Sequence, residues 1–286
     1  MTARPFVVAG NGPSITEIPA GIIQPDDFII RVNNFFFEPK FYVGDRVDLA
    51  FMAGDPRVAP FMFETLHRCR QDYDLQAWTS HNPKVVRAGQ RRFGASYQPM
   101  RYRDAATEAA VATLIAQFGR HPTSGVYAVL AAHALGATDV ILVGVDFYDG
   151  PRRYPYELGP NYRALMGQDL GVRGLDGHLH DVQLDLAILR YLTEEGGVRL
   201  LCAAPVPAAL ADLAAPAQPR GLPAPTDLNT DPNTGQNADF FRGHEAESIA
   251  RNAPSDWASC SGLYPIAVLK FLRWGSALFR KLKKDI

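Results

Sequence analysis

The chain has 286 residues, 47% of them hydrophobic, which is enough to bury one sizeable core with a smaller appendage and excludes a disordered chain. Its 29 Lys and Arg against 30 Asp and Glu leave a formal net charge of -1, so no global field favours nucleic acid and an anionic partner must meet a local site. Cys69, Cys202 and Cys260 are widely spaced with no CxxC pair, which argues against a disulfide framework and a thiolate metal site and for free buried thiols.

Met1 to Pro5 run straight into an apolar strand pattern, without the apolar stretch and small-residue cleavage site of a signal peptide, so the expectation is a cytoplasmic catalytic domain. PFVVAG (5–10) reads as a parallel strand buried on both faces and closed by a glycine turn. FIIRV (28–32), DLAFMA (48–53) and LQAWTS (75–80) read as further strands joined by short loops. Asp104 then caps a helix over 105–118 with Gly119 as its terminator. Thr123 and Ser124 start a second helix, GVYAVLAAHAL, which stops at Gly136 and feeds the strand-like TDVILVGVDF (138–147). A third helix, from about Asp181 to Glu195, stops at Gly196-Gly197 and leads into VRLLCA (198–203).

This alternation predicts an α/β fold, a doubly wound, Rossmann-like and mostly parallel sheet with ligands at the carboxyl ends of its strands. Residues 1–205 form the catalytic domain on this reading, with a small lid-like insertion at about 150–180, where glycines from Gly150 to Gly177 punctuate the chain. Residues 206–261, rich in Pro, Ala, Asn and Thr, read as a loop-rich segment. Residues 262–286 read as an amphipathic helix. At about 100° per residue, Tyr264, Val268, Phe271, Leu272, Trp274, Leu278, Phe279 and Leu282 share one side, and Lys270, Arg273, Arg280, Lys281 and Lys284 the other. That pattern suits the surface of an anionic membrane and not a span; packing on its own domain or on a second subunit is the alternative.

Several residues have the chemistry of a nucleotide site. Gly10-Asn11-Gly12-Pro13-Ser14 follows the first strand, so its backbone N–H groups are placed to meet a phosphate or ribose, or simply to make a tight turn. It lacks the third glycine of GxGxxG, and the second strand ends in Arg31 and Asn33 where an NAD site wants an acidic residue. Asn11 and Asn33 are expected to project from adjacent strand ends into one crevice. Thr123-Ser124-Gly125 offers hydroxyls and unpaired N–H groups at a helix start, as an anion site or a plain cap. Asp146 lies past the strongest strand, and Tyr148 and Tyr154 are phenols able to donate to a departing phosphate without a metal. His178 and His180 precede the third helix, whose positive end favours the neutral imidazole that a general base requires; surface histidines or metal ligands are the alternatives. Asp72-Tyr73-Asp74 spells DxD, but it precedes a strand and so falls at the edge opposite the crevice, as a solvated turn.

Taken in order, VVAGNGPSITEI, RVNNFFFEPKFYVGDRVD, TSGVYAVLAAHALGATDVILVGVDFY, the spaced Tyr154, HDVQLDLAILRYL and VRLLCAAP resemble the bacterial lipooligosaccharide sialyltransferases of glycosyltransferase family 42 over most of residues 5–205. The resemblance implies a single-domain, GT-A-like variant of the fold and an inverting transfer of sialic acid from CMP-sialic acid to a surface glycan, with no metal or other cofactor. It implies that Asn11, Gly12, Ser14, Asn33, Thr123, Ser124 and Gly125 bind the CMP moiety with Asp146 near the ribose or cytosine. Tyr148 and Tyr154 stabilise the leaving phosphate, and His180 deprotonates a galactose-terminated acceptor. It further implies a homotetramer, peripheral on the inner membrane. Two positions depart from the family pattern. Ala53-Gly54 stands where members carry an asparagine, and His121-Pro122 where they carry an arginine, so a related nonulosonic acid donor stays open. The rival readings are a pyrophosphokinase-like or flagellin-modification protein sharing the GNGPS turn, and a non-catalytic glycan-binding homologue.

Overall fold

Strand β1 (Phe6–Ala9) buries Val7, Val8 and Ala9 completely, as a strand covered on both faces must. It pairs in parallel with β2 (Phe28–Val32) on one side and β8 (Asp139–Val143) on the other, with Phe6 level with both Phe28 and Val140. The computed structural model describes residues 4–53, 59–147, 154–155, 180–220, 244–245, 271 and 274–275. Within them the main sheet has seven strands in the order β10-β9-β8-β1-β2-β5-β7, where β5 is Leu49–Phe51, β7 Trp78–Thr79, β9 Arg199–Cys202 and β10 Ala214–Pro216. Each pairing in it is parallel. The chain builds outward from β1 through β2, β5 and β7, then returns to lay β8, β9 and β10 on the other side. The order therefore reverses between β1 and β8, where an open α/β sheet has its ligand crevice. This is the α/β, Rossmann-like architecture that the strand and helix alternation predicts.

The helices form where the sequence pattern supplies both a cap and a buried face. In α3 (Ala105–Phe118) the Asp104 carboxylate accepts the Thr107 N–H at 2.7 Å, and Gly119 ends the helix in the left-handed conformation, φ 59°. Helix α4 (Ser124–Ala134) is buried on every side from Val126 to His133, which explains a sequence apolar all round. It crosses the backs of β1, β2 and β5 and brings its N-terminus to the carboxyl edge of the sheet. Helix α5 (Val182–Glu194) buries Leu184, Ile188, Leu189 and Leu192, one face at helical spacing, and is capped by Asp181, which accepts from the Gln183 N–H at 2.8 Å.

The structure corrects two sequence expectations. Stretches read as short loops or passed over hold α1 (Ala59–Arg68) and α2 (Pro83–Phe93), the latter opened by Asn82, which accepts the Lys84 N–H at 3.0 Å. LQAWTS is two strands: β6 (Asp74–Leu75) pairs with β4 (Arg46–Val47) in a separate small sheet, and only β7 joins the main one. The chain changes partner between Gln76, whose N–H donates to Val47 O, and Ala77, whose carbonyl accepts from Ala50. After 206 the described chain adds β10 to the sheet beside β9, and Arg220 then anchors it on the Asp27 carboxylate at 2.7 Å. Arg31 of β2 is fully buried in a two-point ion pair with Glu38, 2.6 and 3.1 Å, with its guanidinium over the Phe35 ring.

A second two-stranded pairing, antiparallel, joins β3 (Lys40–Phe41) and β11 (His244–Glu245). Cys69 and Cys202 are buried and not joined in a disulfide with each other. The lid expected at about 150–180 and nearly all of the chain from 221 onward, with Cys260, lie outside the described residues.

Candidate active site

The two turns at the switch point are stitched together by main-chain hydrogen bonds, from Gly10 N–H to Val143 O and from Gly12 N–H to Gly144 O, each 2.8 Å. A Cβ on Gly10 would overlap the Gly144 carbonyl, and one on Gly12 the Asp146 carboxylate, so both positions demand glycine for closeness of approach. Ser14 donates to both oxygens of Asp146, its hydroxyl to Oδ1 and its N–H to Oδ2 at 3.0 Å. With Ile15 N–H bonded to Gly12 O as well, the amides of Gly10, Gly12, Ser14 and Ile15 are consumed within the protein. Of the two readings open for this turn, these four amides serve the tight strand-to-helix turn. Gly12, Ser14 and Asp146 hold the crevice floor in shape.

Asn11 and Asn33 do sit at adjacent strand ends, and both brace them. The Asn11 amide donates to Val32 O at 2.7 Å. Asn33 adopts φ 52°, a conformation asparagine tolerates better than most residues. Its Nδ2 donates to Ser124 Oγ at 3.0 Å while its Oδ1 accepts the Ala53 N–H at 2.7 Å. One side chain thus ties the ends of β2 and β5 to the start of α4.

Thr123 occupies the N-cap position of α4 but its hydroxyl makes no capping bond. A carboxylate from α5 takes the N-cap residue's own amide: Asp185 Oδ1 accepts the Thr123 N–H at 2.9 Å. Asp185 is fully buried, and burial pushes its carboxyl from the ordinary 3.8 up to about 7 against the opposing bond from Thr123. The next two amides, of Ser124 and Gly125, have no partner among the described residues, as expected for the first turn of a helix. A Cβ on Gly125 would lie 3.3 Å from Val145 Cγ1, so the bare backbone also lets the turn lie close to the chain after β8. Two unpaired N–H groups at the positive end of an eleven-residue helix, with the Ser124 hydroxyl beside them, have the chemistry to receive an anion.

His180 stands immediately before α5, and its Nδ1 donates to the carbonyl of His121 at 2.9 Å. A carbonyl only accepts, so the neutral ring carries its proton on Nδ1 and presents Nε2 as the basic nitrogen. Two further groups, not foreseen from the sequence, complete this wall. His81, just past the end of β7, stacks on the buried Tyr127 of α4 with ring centroids 4.1 Å apart and planes 10° apart. The His121 ring lies 6.2 Å from His81, and Tyr127 Oη approaches His121 Nδ1 at 3.5 Å. Burial first, then the neighbouring His121 and His180, hold His81 down at about 4, so it is neutral at pH 7. A histidine two residues beyond a parallel strand was the one signal in the sequence for His81; its stacking partner lies 46 positions away and no local pattern shows it.

Tyr154 is half-buried against the aromatic core that includes Phe35, Phe36, Phe63 and Trp78. Tyr148 and His178 lie outside the described residues. In the DxD sequence Tyr73 is buried on Phe35 and Phe41, while Asp74 is exposed at the start of β6, on the side of the sheet away from the crevice. Among the described residues no group of three or more His, Cys, Asp or Glu side chains is placed to hold a metal ion.

No protein-family model matches the sequence, and no curated protein does. Solved structures do match. The sialyltransferase CstII from Campylobacter jejuni, in complex with the substrate analogue CMP-3FNeuAc, aligns with a TM-score of 0.62 at 23% identity, over 76% of this chain and 87% of that one. The monofunctional alpha-2,3-sialyltransferase Cst-I from the same organism gives 0.65 at 21% identity, over 81% and 90%. The sialyltransferase CST-II in complex with a trisaccharide acceptor and CMP gives 0.61 at 23%, over 76% and 87%. At these identities the likeness shows a common fold.

Proposed function

We propose that the chain is a sialyltransferase that moves sialic acid, or a related nonulosonic acid, from its CMP-activated donor to a surface glycan such as a galactose-terminated lipooligosaccharide, with inversion and without a metal. The observation that carries this reading is the pairing, at one switch point, of an unpaired helix N-terminus at Ser124-Gly125 with a histidine whose tautomer presents Nε2 as base. The sialyltransferase identity of the fold's solved relatives, some of them bound to CMP, selects the chemistry among those that such a site could serve.

In this mechanism the Ser124 and Gly125 amides hold the donor phosphate against the α4 dipole, on a floor that Asn11, Asn33, Ser14 and Asp146 keep rigid. Departure of CMP leaves an oxocarbenium-like sugar and puts negative charge on the phosphate. Donors that strengthen as this charge grows act on the transition state more than on the bound donor; Tyr148 and Tyr154 are assigned this part. His180 Nε2 takes the acceptor hydroxyl proton as that oxygen attacks, and its Nδ1–H bond to the His121 carbonyl keeps the ring oriented throughout. A homotetramer, peripheral on the inner membrane through the C-terminal helix, is the assembly proposed.

The test is release of CMP from CMP-sialic acid in EDTA, with and without a galactoside acceptor. Release that survives chelation, falls by about two to four orders of magnitude in His180→Ala, and collapses in Tyr148→Phe/Tyr154→Phe supports the mechanism. A dependence on added magnesium would turn the assignment toward the pyrophosphokinase-like alternative. Binding of the glycan with no release from any CMP-activated acid would favour the non-catalytic homologue.

A further inference from the structure

The mechanism uses the first turn of α4 and His180, and leaves unused a buried carboxylate that lies between the segments carrying both. Asp185 is in the first turn of α5, five residues after His180 and four after the capping Asp181, and none of its surface is exposed. Its Oδ1 accepts the Thr123 N–H, and its Oδ2 is buried with no hydrogen-bond partner among the described residues. Burying a carboxylate with one oxygen short of a hydrogen-bond partner is unfavourable, and the Thr123 side chain, which makes no capping bond within α4, interacts with Asp185 instead and so adds to the tie between the two segments. A second link runs between the same two segments: His121, two residues before Thr123, takes the Nδ1–H of His180 on its carbonyl. The two bonds span 59 and 62 positions of sequence and close a ring, His121 to Thr123 along one segment and Asp185 to His180 along the other. Around the carboxylate, Asp181 accepts from the Asp185 N–H at 3.2 Å and the phenol of Tyr127 rises from α4.

We infer that Asp185 is a positioning residue that holds the start of α4 from α5 and thereby fixes the Thr123–Gly125 turn and His180 in one rigid unit, so that phosphate site and base keep a constant separation. The inference rests on the donor-site reading of that turn and of His180. A lone helix cap would need only the acceptor and would not care which segment supplied it. Here the acceptor comes from the base-bearing segment, so losing it loosens phosphate site and base relative to each other.

Asparagine keeps an acceptor at the Oδ1 position and alanine removes it, which gives the experiment. In the full-length protein, Asp185→Ala should speed Thr123 amide exchange by on the order of tenfold or more, while the amides of β1 and β8 keep their protection. It should also raise the donor KM and lower kcat for CMP release together, and Asp185→Asn should restore all three to within about threefold of wild type, an interval that spans a neutral in place of a charge-assisted bond. Unchanged Thr123 exchange in Asp185→Ala, equal impairment in Asp185→Asn, or loss of protection spread evenly over β1 and β8 would each overturn the inference. Should the alanine variant not fold, wild-type Thr123 protection in Asp185→Asn supports the tie and its loss overturns it. A wild-type protein that releases no CMP would sink the donor reading, while the exchange comparison would still decide the role of Asp185.

Discussion

A half-buried histidine and a buried carboxyl beside the crevice carry opposite titration demands. His81 has its proton affinity lowered from 6.5 to about 4, chiefly by burial, and Asp185 has its own raised from 3.8 to about 7, again chiefly by burial. For His81 the folded state favours the neutral ring, so its contribution to stability is present above pH 6.5 and lost as the pH falls toward 4. For Asp185 the folded state favours the protonated acid, so its contribution is full below 3.8 and lost as the pH rises through 7. At ~1.4 kcal/mol per unit these are roughly 3 and 4 kcal/mol, of opposite slope across the same interval. Thermal melts between pH 4.5 and 7.5 should separate them. Relative to wild type, His81→Phe, which keeps an aromatic face on Tyr127, should lose stability as the pH rises. Asp185→Asn should instead gain it, and the double variant should run nearly parallel to wild type. Single-variant differences that do not change with pH would show that neither group carries the assigned shift.

At the scale of elements, the part of the fold legible in the sequence was the part made by local rules. The PFVVAG strand, the Asp104 and Gly119 ends of α3, the uninterrupted apolar α4 and the α5 to β9 unit are each announced by residues within about ten positions. Helix α2 was missed for the converse reason. Its sequence, PKVVRAGQRRF, is charged, with a glycine in the middle, and its one buried face consists of Val85 and Gly89. Gly89 is there because the helix lies directly on aromatic rings: a Cβ would press into Phe63 and Trp78, which already pack edge to face at 4.7 Å. Helix propensity alone says that Gly89→Ala gains about 1 kcal/mol. Overpacking against two rings locked in the core says that it loses about 1–3 kcal/mol, and the second effect should win, with a net loss of roughly 0–2 kcal/mol by denaturant melts. A stabilised variant would mean that the rings yield and that α2 sits less tightly than its glycine implies. The site was legible in the same partial way. Asn33, Ser124 and His180 could be named from strand ends and helix starts, but Ser14 to Asp146 joins positions 132 apart and Thr123 to Asp185 positions 62 apart, and only the folded chain shows that these contacts fasten the site.

At the scale of the whole molecule the open question is what the carboxyl-terminal segment meets. Phe271 and Trp274 lie in helical conformation with 67% and 62% of their surface exposed, their ring centroids 6.0 Å apart, and Lys270 and Arg273 adjoin them in sequence. No helix among the described residues is long and apolar enough to cross a membrane. Two exposed aromatics three positions apart fall on one helical face, and sinking them into an interface is worth about 1.5–3 kcal/mol each. Each nearby cation adds about 1 kcal/mol when the headgroups are anionic. The electrostatic share should weaken with added salt and the apolar share should not. Full-length protein should therefore sediment with anionic vesicles, weakly with zwitterionic ones, and less at high salt. Phe271→Ser/Trp274→Ser should reduce anionic binding by on the order of a hundredfold or more, while Lys270→Gln/Arg273→Gln should lessen the salt dependence, with Arg280, Lys281 and Lys284 carrying the rest. If the serine pair left vesicle binding intact but changed the mass of the particle in solution, the aromatic face would belong to a contact between copies of the chain. Membrane placement would then have to come from elsewhere in the protein.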